Sequence, residues 1–142
     1  MDAFVIPADL AREMIEHAQQ EYPKECCGFL GGPSGEARTI HRLRNTDPDP
    51  VMRYRADSRD VKRVLEELDD HDHEVVCVYH SHTHTPPYPS RTDIEESRGL
   101  PNAIYALVGL SDRGRPELRA YRIADGGVTE VSVLETATVE GA

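Results

Sequence analysis

Apolar positions along the chain follow two periods, and each period predicts a different element. Over residues 7–21, Leu10, Met14, Ile15 and Ala18 fall on one stripe of a 3.6-residue repeat. Pro7 suits a first helical turn and Tyr22-Pro23 closes the run, so this spacing predicts a helix. A second stripe, Val61, Val64, Leu65 and Leu68, repeats at i, i+3, i+4 and i+7 behind Asp57 or Ser58, either of which can cap it. Between the two, residues 26–30 read as a short apolar strand stopped by Gly31-Gly32-Pro33-Ser34-Gly35. Residues 37–43 return as its hairpin partner. Asn45-Thr46-Asp47-Pro48-Asp49-Pro50 is a turn-rich break, with a short strand expected at 52–55.

Residues 74–79 are apolar on both faces, as expected of a central strand covered by helices on either side. Residues 81–89 contain Pro86, Pro87 and Pro89 and are expected to be irregular. A third helix is expected over 90–98, ending at Gly99. A second buried strand follows at 104–110, then a hairpin of 118–123 and 128–134 around Asp125-Gly126-Gly127. Residues 135–142 read as a loose tail. The alternation of strands and helices predicts one α/β domain over residues 1–134, a three-layer sandwich with a mixed central β-sheet flanked by helices. A chain of 142 residues buries roughly 68–70% of its unfolded surface, enough for a core without disulfides.

Charge narrows the partners. Acids outnumber bases 26 to 16, a formal net charge of −10, which argues against nucleic acid as a partner. Arg38, Arg42, Arg44, Arg53 and Arg55 are a local exception. They read as a solvated strand face, or as a patch for an acidic protein surface or a carboxylate. No apolar run approaches the roughly 20 residues that span a bilayer, and Met1-Asp2-Ala3-Phe4 lacks the start of a signal peptide, so no membrane role and a cytoplasmic location are expected. Cys26, Cys27 and Cys77 are too scattered for a zinc cage and read as buried, reduced thiols.

The candidate chemistry sits where the central strand ends, at His80-Ser81-His82, followed by Ser90 and Asp93. In extended backbone, residues i and i+2 point the same way, roughly 6–7 Å apart. One cation can take an imidazole nitrogen from each at about 2.0–2.1 Å, with an Asp as third ligand and a fourth position left for chemistry. The pattern reads as a metal-dependent hydrolase. His71-Asp72-His73 has the same spacing but follows a helix into an acidic turn, so it is read as surface. Ser90 and Asp93 also match a capping box, a role compatible with chemistry for Ser90 but competing with it for Asp93. His84 continues the alternate series, and Cys27 lies beside Glu25. The residues alone leave Glu21, Glu25, Glu74 and Glu95 open as a general base.

H-S-H, seven residues, S, two residues, D resembles the metal-binding signature of the JAMM/MPN+ (Mov34) metallopeptidases. Pro23-Lys24-Glu25-Cys26-Cys27-Gly28 resembles the context of that family's upstream Glu. Tyr79 to Thr83, Tyr88-Pro89-Ser90-Arg91-Thr92-Asp93 and Tyr121-Arg122-Ile123 with Asp125-Gly126 are similar to the small bacterial members that release cysteine from a ubiquitin-like sulfur-carrier protein. The resemblance implies a cytidine-deaminase-like sandwich, Zn²⁺ on His80, His82 and Asp93, Glu25 as general base and Ser90 as oxyanion donor. It does not use His84. It also implies a substrate amide at the carrier's C-terminal glycine, either a cysteine adduct or a lysine isopeptide. The Gly-Gly tail would enter between residues 47–55 and 83–88 of a monomer or homodimer. A non-catalytic MPN scaffold and a RadC-like nucleic-acid-associated protein are the alternatives. The first should lack ligands, and the second carries an Asn where Ser81 stands.

Overall fold

The computed structural model describes residues 3–125 and 127–137. Its elements are β1 (Ala3–Pro7), α1 (Ala8–Glu21), β2 (Cys27–Gly32), β3 (Thr39–Leu43), α2 (Ser58–Asp70), β4 (Glu74–His82), α3 (Arg91–Glu96), a 3-10 turn (Ser97–Gly99), β5 (Ile104–Gly109), β6 (Glu117–Ala124) and β7 (Gly127–Thr136). The seven strands form one sheet in the order β1-β7-β6-β5-β4-β2-β3. The β1–β7 and β4–β5 pairs are parallel and the others antiparallel, so the sheet is mixed, as the sequence predicts.

Side chains sort by strand period onto two faces. On one, Leu10, Met14 and Ala18 of α1 pack on Ile6, Leu30, Cys77, Tyr79, Ala106 and Val108. On the other, Val64 and Leu68 of α2 pack on Phe29, Val78, Tyr105 and Ile123. Even-numbered positions of β4 from Val78 onward therefore face α2. His80 and His82 are the next two on that face.

The structure departs from expectation in five places. β1 precedes α1; Phe4 and Ile6 are buried and Val5 exposed, a period-2 pattern in five residues whose partner, β7, lies more than 120 positions away in the sequence. Residues 52–55 form no strand; an Asn45–Ala56 bridge and a Thr46 N–H to Arg55 carbonyl bond close the loop there. β4 runs on through His82 because Ser81 and His82 pair with Val108 and Gly109. The third helix is shorter than expected, ending at Glu96 before the 3-10 turn. β7 reaches Thr136, two residues into the expected tail, whose residues 138–142 lie outside the described residues, as does Gly126.

Two local devices prepare the site. Asp57 is the cap of α2, its carboxylate accepting from the Arg59 and Asp60 amides at 3.0 Å each. At Gly109 a Cβ would come within 2.9–3.0 Å of the Pro87 ring, so glycine lets the proline-rich loop lie on the end of β5. Among the described residues, no helix is long and apolar enough to cross a membrane.

Candidate active site

His80 and His82 point from the end of β4 to the α2 face, and α3 brings Asp93 to them. Their Nε2 atoms are 3.2 Å apart, and each is 3.2 Å from Asp93 Oδ2. All three residues are buried, and the group is close enough to hold one metal ion. Ser81, on the opposite face, accepts the Cys26 N–H on its hydroxyl at 2.8 Å and donates its own N–H to the Cys26 carbonyl at 3.2 Å. The middle residue of H-S-H thus ties the histidine strand to the residue that follows Glu25.

The donor set fits a divalent cation. His82 Nδ1 lies 2.9 Å from the Pro86 carbonyl, which only accepts, so Nδ1 carries the proton and Nε2 presents a lone pair. Burial pushes the His80 imidazole down, outweighing the pull of Asp93, which favours its neutral form. His80 Nδ1 has no hydrogen-bond partner among the described residues; the Tyr54 ring lies against the imidazole at 4.5 Å between centroids. Burial pushes Asp93 up, but His80, His82 and the Ser90 N–H together hold it well below the usual carboxylate range. His82 is held above its ordinary value: burial lowers it, but Asp93 and the Pro86 carbonyl win. Two imidazole nitrogens and a carboxylate oxygen crowded at 3.2 Å want a shared positive charge, and this mixed N/O set suits zinc.

Asp93 is placed for both roles that compete for it in the sequence. Oδ2 accepts the Ser90 N–H at 2.8 Å while facing the histidines, and the Asp93 N–H donates to Ser90 Oγ at 3.1 Å. The capping box is the device that aims the carboxylate. Ser90 is exposed, and its own hydroxyl proton remains available to donate.

Of the four acids left open by the sequence, Glu25 is buried and Glu21, Glu74 and Glu95 are exposed. Glu25 is fixed by its backbone. Its N–H donates to the Pro50 carbonyl at 2.7 Å, and its carbonyl accepts from Asn45 Nδ2 at 2.9 Å. Burial pushes its carboxyl up to about 8; Asp93 and Asp47 push the same way, while His82 and Arg53 oppose.

His84 is exposed and outside the cluster, stacked on Tyr22 at 6.2 Å between centroids. Cys27 is buried with its thiol toward the Leu43 carbonyl at 3.6 Å, also outside the cluster. His71 sits in the turn after α2, its Nδ1 donating to the Glu67 carbonyl at 2.9 Å. The residues that the sequence did not single out are Tyr54, Asn45 and Thr83. Thr83 reaches the Val51 carbonyl at 3.3 Å. The ties of Asn45 to Glu25, Tyr54 to His80 and Thr83 to Val51 join residues far apart along the chain, so no local spacing marks them.

Fold and site together define an α/β sandwich with a two-histidine, one-aspartate centre at a strand end, and residues 7–124 match the family described as prokaryotic homologs of the JAB domain. The chain belongs to that family. It is 44% identical over 135 residues to the CysO-cysteine peptidase of Mycobacterium tuberculosis, covering 92% of this chain and 91% of that one. It is 31% identical over 115 residues to the desampylase of Haloferax volcanii, covering 76% and 81%. The solution structure of a Desulfitobacterium hafniense protein matches with a TM-score of 0.83 at 26% identity, covering 96% of this chain and 94% of that one.

Proposed function

We propose that this protein is a zinc peptidase that hydrolyses the amide at the C-terminal glycine of a ubiquitin-like sulfur carrier, releasing cysteine from a carrier–cysteine adduct. The observation that carries this reading is the convergence of His80, His82 and Asp93 on one point, with Glu25 buried alongside. The names of the relatives, a peptidase of a cysteine adduct and a desampylase, support the same reaction class.

His80 Nε2, His82 Nε2 and Asp93 Oδ2 would hold the ion. Zinc bound there supplies Lewis acidity to the scissile carbonyl and lowers the pKa of a water from about 15.7 toward 7. Glu25 takes the proton of the attacking water and delivers it to the departing amine. Its burial suits both steps, because a carboxyl raised toward neutrality accepts and returns a proton near pH 7. The Ser90 hydroxyl donates to the oxyanion as the carbonyl becomes tetrahedral. The carrier's Gly-Gly tail enters between residues 47–55 and 83–88, where its glycines bring no side chain to clash. The non-catalytic scaffold is disfavoured because every ligand and the acid are present.

Turnover of a purified carrier–cysteine adduct tests this reading. Glu25→Gln is expected to keep its zinc and lose about 10²–10⁴-fold in kcat, the range of a general base. Unchanged turnover removes Glu25 from the chemistry.

A further inference from the structure

The structure sorts the five arginines that the sequence groups together. Arg38 pairs with Glu36 at 2.9 Å, Arg42 with Glu13 at 3.5 Å, and Arg44 with Asp57 and Asp60 at 3.3 and 3.0 Å. Arg53 and Arg55 are exposed, and among the described residues their side chains make no ion pair and no hydrogen bond.

Arg53 is the one placed beside Glu25. The same Asn45 Nδ2 that donates to the Glu25 carbonyl at 2.9 Å donates to the Arg53 carbonyl at 3.1 Å. The other end of that carboxamide accepts the Asp47 and Arg55 amides at 3.0 Å each. Asn45 therefore clips the loop of residues 46–56 to the backbone of Glu25. Thr83, next to His82, holds the same loop at Val51. Arg53 is exposed on a loop whose backbone is pinned to that of Glu25, and its charge acts on the Glu25 carboxyl, so its guanidinium is placed to meet an anion on this side of the site.

We propose that Arg53 binds the α-carboxylate of the amino acid that leaves when the amide breaks, and so selects that substrate over a lysine isopeptide. This rests on the proposed function and names the leaving-group side of the same site. The amine that takes its proton from Glu25 is bonded to the carbon that bears the carboxylate, so the carboxylate departs beside Glu25. Asp93 and Asp47 surround Glu25 with negative charge, and Arg53 is an exposed cation acting against them. A guanidinium matches a carboxylate with two parallel hydrogen bonds. A lysine ε-amine carries no carboxylate at that position, and Arg53 gives it no advantage. Asn45 is the positioning residue that keeps Arg53 on this side.

The test compares two conjugates of one carrier, an amide to cysteine and an amide to cysteamine, which keeps the thiol and lacks the carboxylate. Wild type is expected to prefer the cysteine amide. Arg53→Gln is expected to lose about tenfold or more in kcat/KM on the cysteine amide, the scale of a charged hydrogen bond. On the cysteamine amide it should change by less than about twofold, the size of an ordinary surface substitution. Arg53→Lys, which keeps the charge without the fork, should fall between, and Arg55→Gln should leave the preference intact. Equal losses on both conjugates, or no loss on either, overturn the inference while leaving the peptidase reading standing. Failure of wild type to cut either conjugate removes both.

Discussion

His17 and Tyr79 show how one buried polar pair couples packing to pH. His17 Nδ1 meets the Tyr79 hydroxyl at 2.7 Å between α1 and β4, with both residues buried. Burial, then the charge of Arg42, pushes the His17 imidazole down to about 4. A base whose folded pKa lies below its unfolded value binds fewer protons folded than unfolded across that interval. Its contribution is therefore whole above pH 6.5 and is lost as pH falls toward 4. The loss is on the order of 2–3 kcal/mol. In thermal melts between pH 7 and 4.5, the Tm of wild type should drop more steeply than that of His17→Gln. Parallel slopes would contradict the assignment. The residues of the candidate centre were legible for the opposite reason. His80, His82, Ser90 and Asp93 lie within fourteen positions, and strand period and helix-cap spacing are local rules. Asn45, Tyr54 and Thr83 contact residues 20 to 32 positions away, which only the fold brings near. Glu25 is marked in the sequence only by the resemblance, since burial, the property that separates it from Glu21, Glu74 and Glu95, is a tertiary fact.

Elements are joined to the site by a few polar ties. Asp60 in the first turn of α2 accepts the Arg44 backbone N–H at 2.9 Å and two guanidinium hydrogen bonds at 3.0 Å, fixing the end of β3 just before Asn45. Those Arg44 bonds, with help from Arg63, hold the Asp60 carboxyl well below the usual carboxylate range against burial. With a depressed folded pKa, its contribution is present above the unfolded value near 4 and is lost as pH falls below it. Asp60→Asn should cost about 1–2 kcal/mol at pH 7, a figure reduced for the solvent around Arg44. Urea unfolding should show that cost shrinking by pH 3; an undiminished difference at pH 3 would mean that lost packing, not charge, explains it. The amphipathic helices and the hairpins were readable because their repeats are internal to one segment. β1 was not, because a five-residue alternation acquires meaning only beside β7. The strand expected at 52–55 gives way to a loop in which Asn45 takes the Arg53 carbonyl and the Arg55 amide in place of a ladder.

At the scale of the whole molecule, two helix-covered faces of a mixed sheet make the core, and the β4 strand end makes the centre. Against the excess negative charge of the chain, Arg53 stands beside Glu25 with no side-chain ion pair among the described residues, where an anionic leaving group would need it. The sandwich and its mixed sheet were legible from buried runs at 74–79 and 104–110 between amphipathic stretches, whereas strand order across seven strands was not, being set by packing of both faces at once. All of it serves one claim, that His80, His82 and Asp93 together grip a single zinc ion. Zinc measured per chain by mass spectrometry, in wild type and in folded His80→Gln and His82→Gln, tests that claim most directly. The expected result is about one zinc per wild-type chain and less than about a tenth of that in each variant, since a site with two protein ligands holds zinc poorly. Full zinc occupancy in both variants, or none in freshly purified wild type, would contradict it.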